Sequence, residues 1–366
     1  MKTLEQRISS LMQRALAEGV FSGASVLVGH GDTVVFSRCW GTTFVGPAAR
    51  SVTASFLFDL ASLTKPIATA SLVMVLLQEG RILLEDPLDR IFPYRFVPRH
   101  KRSLTVEQLL FHRSGLPAYK PYFRELMEVP PERRKDTLLE WILRETLVAP
   151  PGTQRLYSDL GYMLLGWILE EVSAIPLDAL FEQRLPCTER PWHLGYRRLM
   201  ALSATEMPSL AFDRPPKNHT ECVATEHCPW RGRLLQGEVH DENAYCLNGV
   251  AGHAGLFGTA QDIWQWGQNF KALFDLRWRP AFDVPIAQGS SAGRHFSQNT
   301  IGHLGFTGTS FWMDLDQEIT IILLTNRVHP DRRDDRIRRF RPLFHDTVME
   351  SMLGTPSGLH VPMEEA

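Results

Sequence analysis

Ser62 stands three residues ahead of Lys65 in the stretch Phe58-Asp-Leu-Ala-Ser-Leu-Thr-Lys-Pro66. On a helix that spacing brings a hydroxyl and an amine to one face, about one turn apart. A hydroxyl beside a proton acceptor is an activated nucleophile. The run behind the pair (Ile67, Ala68, Ala70, Leu72, Val73, Val75, Leu76) is apolar on nearly every side, so it predicts a buried helix that holds the two groups rigidly. No other serine precedes a lysine at that spacing, and only seven of the 39 basic residues are lysine. Arginine keeps its proton inside a protein, whereas a desolvated lysine can release it, and burial here is expected to lower the Lys65 pKa. The same four residues could also form a plain helix start, with the hydroxyl capping the backbone and the lysine reaching water. Partners elsewhere in the chain decide between these readings.

Two such partners lie downstream. Tyr157-Ser158-Asp159 follows the loop Pro150-Pro-Gly-Thr153 and leads into a helix, and His303-Leu-Gly305 leads into the penultimate strand. With Ser62-Leu-Thr-Lys65 this ordered set resembles the serine β-lactamase and penicillin-recognising hydrolase superfamily, above all its class C β-lactamase and esterase branch, whose second motif begins with tyrosine. Thr105 to Pro117, Tyr157 to Gly166, Gly255 to Asp262 and Gly302 to Thr309 look like the framework of that family, so the resemblance runs from about residue 4 to about residue 352. It implies an α/β (α+β) fold: an antiparallel β-sheet flanked by helices and built from both ends of the chain, with an inserted all-helical region and the site in the crevice. It also implies roles. Ser62 Oγ is the nucleophile, and Lys65 and Tyr157 share its proton and pass it to the leaving group. The backbone N–H groups of Ser62 and Phe306 form the oxyanion hole, and Asp159, His303 and Gly305 bind substrate. Neither a metal nor a cofactor is implied.

Departures from the family pattern bear on substrate. The second motif usually ends in asparagine, which can donate to an amide carbonyl, but ionised Asp159 can only accept. Where lysine often opens the third motif there is His303, charged only part of the time near neutral pH. Taking Phe306-Thr-Gly308 as the third motif instead would move the second oxyanion donor to Thr309; His303 is preferred because it supplies a polar side chain. Gly289-Ser-Ser-Ala-Gly293 fits the nucleophile pattern of α/β-hydrolases, but that pattern needs a strand before it and a helix after it. Its neighbours here, Pro285 and polar Arg294 to Thr300, read as a loop. Glu221, Cys222, Glu226, His227, Cys228, His240, Asp241 and Glu242 collect metal-binding residue types, yet the Cys222 to Cys228 gap is too long for a zinc knuckle and His227 adjoins Cys228, so ordinary loop residues are expected. His253 could line the site or cap a turn, and both readings stand.

The elements that must position these groups follow from pattern. An amphipathic helix to about Gly19 is followed by two β-rich runs, 23–29 and 33–39, joined by a Gly-Asp turn as a hairpin. The Ser62 helix stops at Glu79-Gly80. Residues 81–249 read as a mainly helical inserted domain with helices near 105–112, 136–147 and 158–172, and the prolines at 186, 191, 208, 215, 216 and 229 suggest long ordered loops. Residues 1–80 and 250–366 together form the sheet domain. In that second part, Thr259 opens a helix running to about Phe274 with a capping box. Ile319 to Leu324 is apolar on both faces and belongs in the middle of a covered sheet, and a helix from about Arg336 to Met352 closes the fold.

The 366 residues, 44% of them hydrophobic, allow a substantial core, and a formal net charge of −2 with interleaved signs offers no nucleic-acid footprint. The five cysteines (39, 187, 222, 228, 246) are odd in number and irregularly spaced, which does not suit a disulfide framework. No segment reaches the roughly 20 apolar residues of a membrane span. The expected protein is soluble and cytoplasmic, its oligomeric state open. It is expected to be a metal-independent serine hydrolase that forms an acyl-enzyme on a small-molecule ester or amide: an esterase, a D-amino-acid amidase or peptidase, or a hydrolase of cell-wall fragments, with little or no β-lactamase activity. The rival is a non-catalytic penicillin-binding-like sensor or binding protein on the same fold.

Overall fold

The computed structural model describes residues 3–185, 193–199, 219–271 and 277–354. Its strands are β1 (Gly23–His30), β2 (Thr33–Gly41), β3 (Phe58–Asp59), β4 (Gly195–Tyr196), β5 (His227–Cys228), β6 (Arg233–Leu234), β7 (Leu256–Gly258), β8 (Thr300–Leu304), β9 (Ser310–Asp314) and β10 (Ile319–Thr325). Five of them form the main sheet, all antiparallel, in the order β2-β1-β10-β9-β8. The first and last parts of the chain thus meet at β1 and β10, where Val26 faces Leu323.

β10 has partners on both edges and is buried along its whole length. Ile319, Ile321 and Leu323 pack with Ile8, Met12, Phe340, Phe344 and Val348, from the helices Leu4–Ala17 and Ile337–Leu353. Ile322 and Leu324 face the other way, into the core shared with Leu63, Ile67 and Trp266. Each such aliphatic side chain taken from water contributes roughly 1.5–3 kcal/mol, and the period of two sends alternate residues to the two layers. This matches the sequence expectation of a central strand covered on both sides.

The Ser62 segment is buried as expected, but it is not one regular helix. A 3₁₀ turn (Ala61–Leu63) passes into a π-helical turn (Lys65–Ala70) and then an α-helix (Ser71–Gln78), which ends before Gly80 in the left-handed region. Ser71 Oγ donates to Pro66 O at 3.1 Å and accepts from Trp266 Nε1 at 3.0 Å. By length and composition Ala61–Gln78 could cross a membrane, but 78% of it is buried inside this molecule, as befits a core helix.

Helices at Val106–Leu110, Pro131–Arg144 and Asp159–Ser173 dominate the middle of the chain. The second begins earlier than the apolar period alone suggests, because Pro131 suits a first helical turn. Short strands also occur there, against expectation: β5 pairs with β6, and β4 pairs with β7 beside β3. Two-residue strands carry no readable alternation. Of the prolines expected in ordered loops, those at 186, 191, 208, 215 and 216 lie outside the described residues, as do Cys187 and Phe274.

Candidate active site

The site is assembled from the 3₁₀ and π turns of the Ser62 segment, the start of the Asp159–Ser173 helix, the Gly252–Leu256 segment and the turn between β8 and β9. Asp59, buried at the end of β3, accepts from Ala61 N at 2.8 Å and from His240 N at 2.6 Å. These bonds hold Ala61 at a φ of 48°, a conformation costly for alanine, and so shape the turn that presents Ser62. Behind it, Leu256 N donates to Thr64 Oγ1 at 3.1 Å and Thr69 Oγ1 to Gly252 O at 2.6 Å. Gly252 must be glycine, since a Cβ there would lie 2.1 Å from Tyr162 O.

Lys65 is fully buried, and its ammonium group is surrounded. Nζ donates to Ser62 Oγ at 3.0 Å and to His253 O at 3.2 Å, and lies 2.7 Å from Asp159 Oδ1. The Tyr157 ring centroid is 4.9 Å away. Burial pushes the lysine pKa down, as the sequence suggested, but the carboxylate of Asp159, with Tyr157 after it, outweighs burial, and the net shift is upward. Lys65 therefore rests as a cation. This corrects the expectation of a lysine made neutral by its apolar helix.

Tyr157 exposes 36% of its surface while its hydroxyl is enclosed with Lys65 and Ser62. Desolvation raises its pKa, the Lys65 charge and hydrogen bonds to Lys65 and Ser62 pull it back only in part, and the resting phenol keeps its proton. His112 fixes its position. Leu156 N donates to His112 O at 2.8 Å, Ser158 N donates to His112 Nδ1 at 3.0 Å, and the His112 and Tyr157 rings lie 4.6 Å apart. Sequence reasoning missed this role, although His112 lies within the framework stretch Thr105 to Pro117 that it singled out.

His303 on β8 points its ring toward Tyr157, at 5.9 Å, and its Nδ1 pairs with Leu304 O at 2.9 Å. It is buried, and desolvation lowers its pKa, which favours the neutral ring and works against the part-time charge expected of it. Gly305 follows, packed so closely that a Cβ would lie 2.0 Å from Thr309 Oγ1 and 2.7 Å from Leu60 O. Phe306, half exposed, has its ring beneath the Arg327 guanidinium at 4.3 Å. Thr309, the alternative donor, is buried, with its hydroxyl on Leu60 O at 3.2 Å.

His253, left open from sequence, gives its carbonyl to Lys65 and pairs its ring with Asp241 at 2.9 Å. Glu226 and Glu242 meet Arg332, and His240 Nε2 lies 3.4 Å from Glu226. Among the described residues no group of three or more His, Cys, Asp or Glu side chains is placed to hold a metal ion. Gly289–Gly293 is a loop with neither strand nor helix at its flanks, as the sequence suggested.

Comparison with known proteins gives a consistent picture. Residues 8–344 match the family model described as Beta-lactamase. The N-acetylmuramyl-L-alanine amidase of Bacillus subtilis (strain 168) is 29% identical over 362 residues, covering 88% of this chain and 81% of that protein. Among solved structures, EstCE1, a hydrolase with promiscuous acyltransferase activity, superposes with a TM-score of 0.69 at 19% identity, covering 94% of this chain and 98% of its own. A class C beta lactamase superposes with a TM-score of 0.66 at 15% identity, covering 96% of this chain and 98% of its own. These two structural likenesses establish the fold.

Proposed function

The chain belongs to the β-lactamase family and is a hydrolase of that family, and from this premise we propose that it works through an acyl-enzyme on Ser62, cleaving an ester or amide of a small acyl group. The observation that carries the reading is the contact of Lys65 Nζ with Ser62 Oγ at 3.0 Å, inside a shell that leaves the ammonium no other solvent. Ser62 attacks the carbonyl carbon as its proton passes to the Lys65–Tyr157 pair. The oxyanion settles on the N–H groups of Ser62 and Phe306. The pair then returns the proton to the departing alcohol or amine, and water releases the acyl group by the reverse route. Because the resting pair holds both protons, the reactive form has one fewer, and rates should rise toward alkaline pH.

An ester preference fits Asp159, whose carboxylate offers no donor to an amide carbonyl. The amidase name of the Bacillus subtilis relative supports an amide as a candidate bond, and the hydrolase and acyltransferase activities named for EstCE1 fit transfer of an acyl group. The four described cysteines are all unpaired, which supports a reducing, cytoplasmic setting and small soluble substrates rather than mature cell wall. One observation favours the rival reading, a binding or sensor protein: Asp159 holds Lys65 charged, which would slow acyl release.

The test is turnover with p-nitrophenyl esters, D-alanyl amides and a penicillin, followed by intact mass. Catalytic turnover of at least one ester or amide with a transient acyl increment is expected. A stable increment without turnover would establish the sensor, and no increment from any of the panel would overturn both.

A further inference from the structure

The turn between β8 and β9, Gly305-Phe-Thr-Gly-Thr309, carries the Phe306 N–H proposed above as the second oxyanion donor, and it is tied down from two sides. Thr307 Oγ1 donates to Asp59 O at 2.7 Å and Thr309 Oγ1 to Leu60 O at 3.2 Å, which joins the turn to the backbone immediately before Ser62. From the opposite side, Arg341 on the C-terminal helix donates through Nη2 to Gly305 O at 2.7 Å and to Thr309 O at 2.8 Å. Thr309 O also accepts from Gly305 N, and Gly305 O also accepts from Gly308 N. Arg327 Nε donates to Phe306 O at 2.7 Å.

Arg341 is an expensive residue to place here. It is only 7% exposed, and among the described residues its Nε has no hydrogen-bond partner and it makes no ion pair. Burial, with Arg327 nearby, pushes its pKa down to about 9. A buried cation without a counter-ion is unfavourable unless something compensates. The compensation lies in which carbonyl it grips. Gly305 C=O and Phe306 N–H are the two ends of one planar peptide group. A cationic donor on the oxygen fixes the plane of that group, and it polarises the N–H at the other end into a stronger donor.

We propose that Arg341 is a positioning residue for catalysis: through the Gly305–Phe306 peptide it aims and strengthens the oxyanion donor, without itself touching substrate. The inference rests on the reading of Ser62 as the acylated nucleophile. Charge on the carbonyl oxygen develops only in the transition state, so loss of Arg341 lowers kcat and leaves KM nearly unchanged.

The experiment compares wild type, Arg341→Met and Arg341→Gln on a p-nitrophenyl ester and its thionoester, whose sulfur is a poor hydrogen-bond acceptor. For Arg341→Met, kcat on the ester is expected to fall about 10- to 100-fold, short of the roughly 10²–10³ for outright loss of a donor. KM should change little, and the ratio of ester to thionoester rates should fall. Arg341→Gln, which keeps a polar amide but carries no charge and stops short of the Nη2 position, should give a fall in the same direction, and it carries the test alone if Arg341→Met does not melt cooperatively. A folded variant with an unchanged ester to thionoester ratio would overturn the proposal, whatever its stability. Failure of the underlying reading is separate, since it would show in wild type as no acyl increment on Ser62.

Discussion

Lys65 and Asp159 together set the proton inventory of the site. Asp159 raises the Lys65 pKa against the effect of burial, and it also raises that of Tyr157. Removing its charge moves both deprotonations to lower pH, so in Asp159→Asn the acidic limb of the kcat/KM profile should shift downward in pH. An unmoved limb with an altered amide to ester ratio would instead mean that Asp159 reads the acyl group. Lys65→Arg keeps the charge but cannot lose it, and acylation should fall by at least ~100-fold, the scale of a lost general base, with an unchanged melt. A folded Lys65→Arg protein retaining more than about a tenth of the rate would leave Tyr157 as the base. The serine and lysine were legible because their partnership is local and follows helix spacing. The Lys65–Asp159 pair was not, because tertiary packing alone brings the two together. Lysine burial is no signal by itself: Lys101 is equally buried and donates to Ile142 O and Leu143 O at the end of a helix.

The elements that present these side chains divide by how much of their pattern is local. Central strand β10, the β1–β2 hairpin and the helices starting at Thr105, Ser158 and Thr259 follow from period and caps. The π turn at Lys65–Ala70 does not, since Pro66 and the contacts of Thr69 and Ser71 with distant residues shape it. Such turns recur at functional sites, and here the turn follows directly on the 3₁₀ turn that holds Ser62. The β8–β9 turn gives the sharpest test of element geometry. In Gly305→Ala the added Cβ must push Thr309 or the Leu60 carbonyl away, which displaces the Phe306 N–H. The acylation rate should fall about 10²–10³-fold, as when an oxyanion donor is lost, and more steeply than any change in binding. Equal acylation by wild type and a folded Gly305→Ala protein would exclude this turn from the oxyanion hole.

Across the whole molecule, the two ends of the chain build the sheet, and polar ties connect it to the middle region. One such tie is Glu226, buried and bonded to Arg332 Nε at 2.6 Å. Burial raises its pKa, but Arg332 first and then His240 more than offset this, bringing it from 4.5 to about 2. Its contribution is therefore complete above pH 4.5 and is lost as the pH falls toward 2. Glu226→Gln should cost about 1–3 kcal/mol at pH 7, and the difference in Tm from wild type should shrink as the pH approaches 2. A constant difference would show that the charge of Glu226 is immaterial. The central claim concerns Ser62, and the most direct test is peptide mass spectrometry after reaction with a fluorophosphonate. One phosphonyl increment on the peptide containing Ser62, absent from Ser62→Ala, is the result predicted. Labelling at Ser291, or an increment that persists in Ser62→Ala, would contradict it.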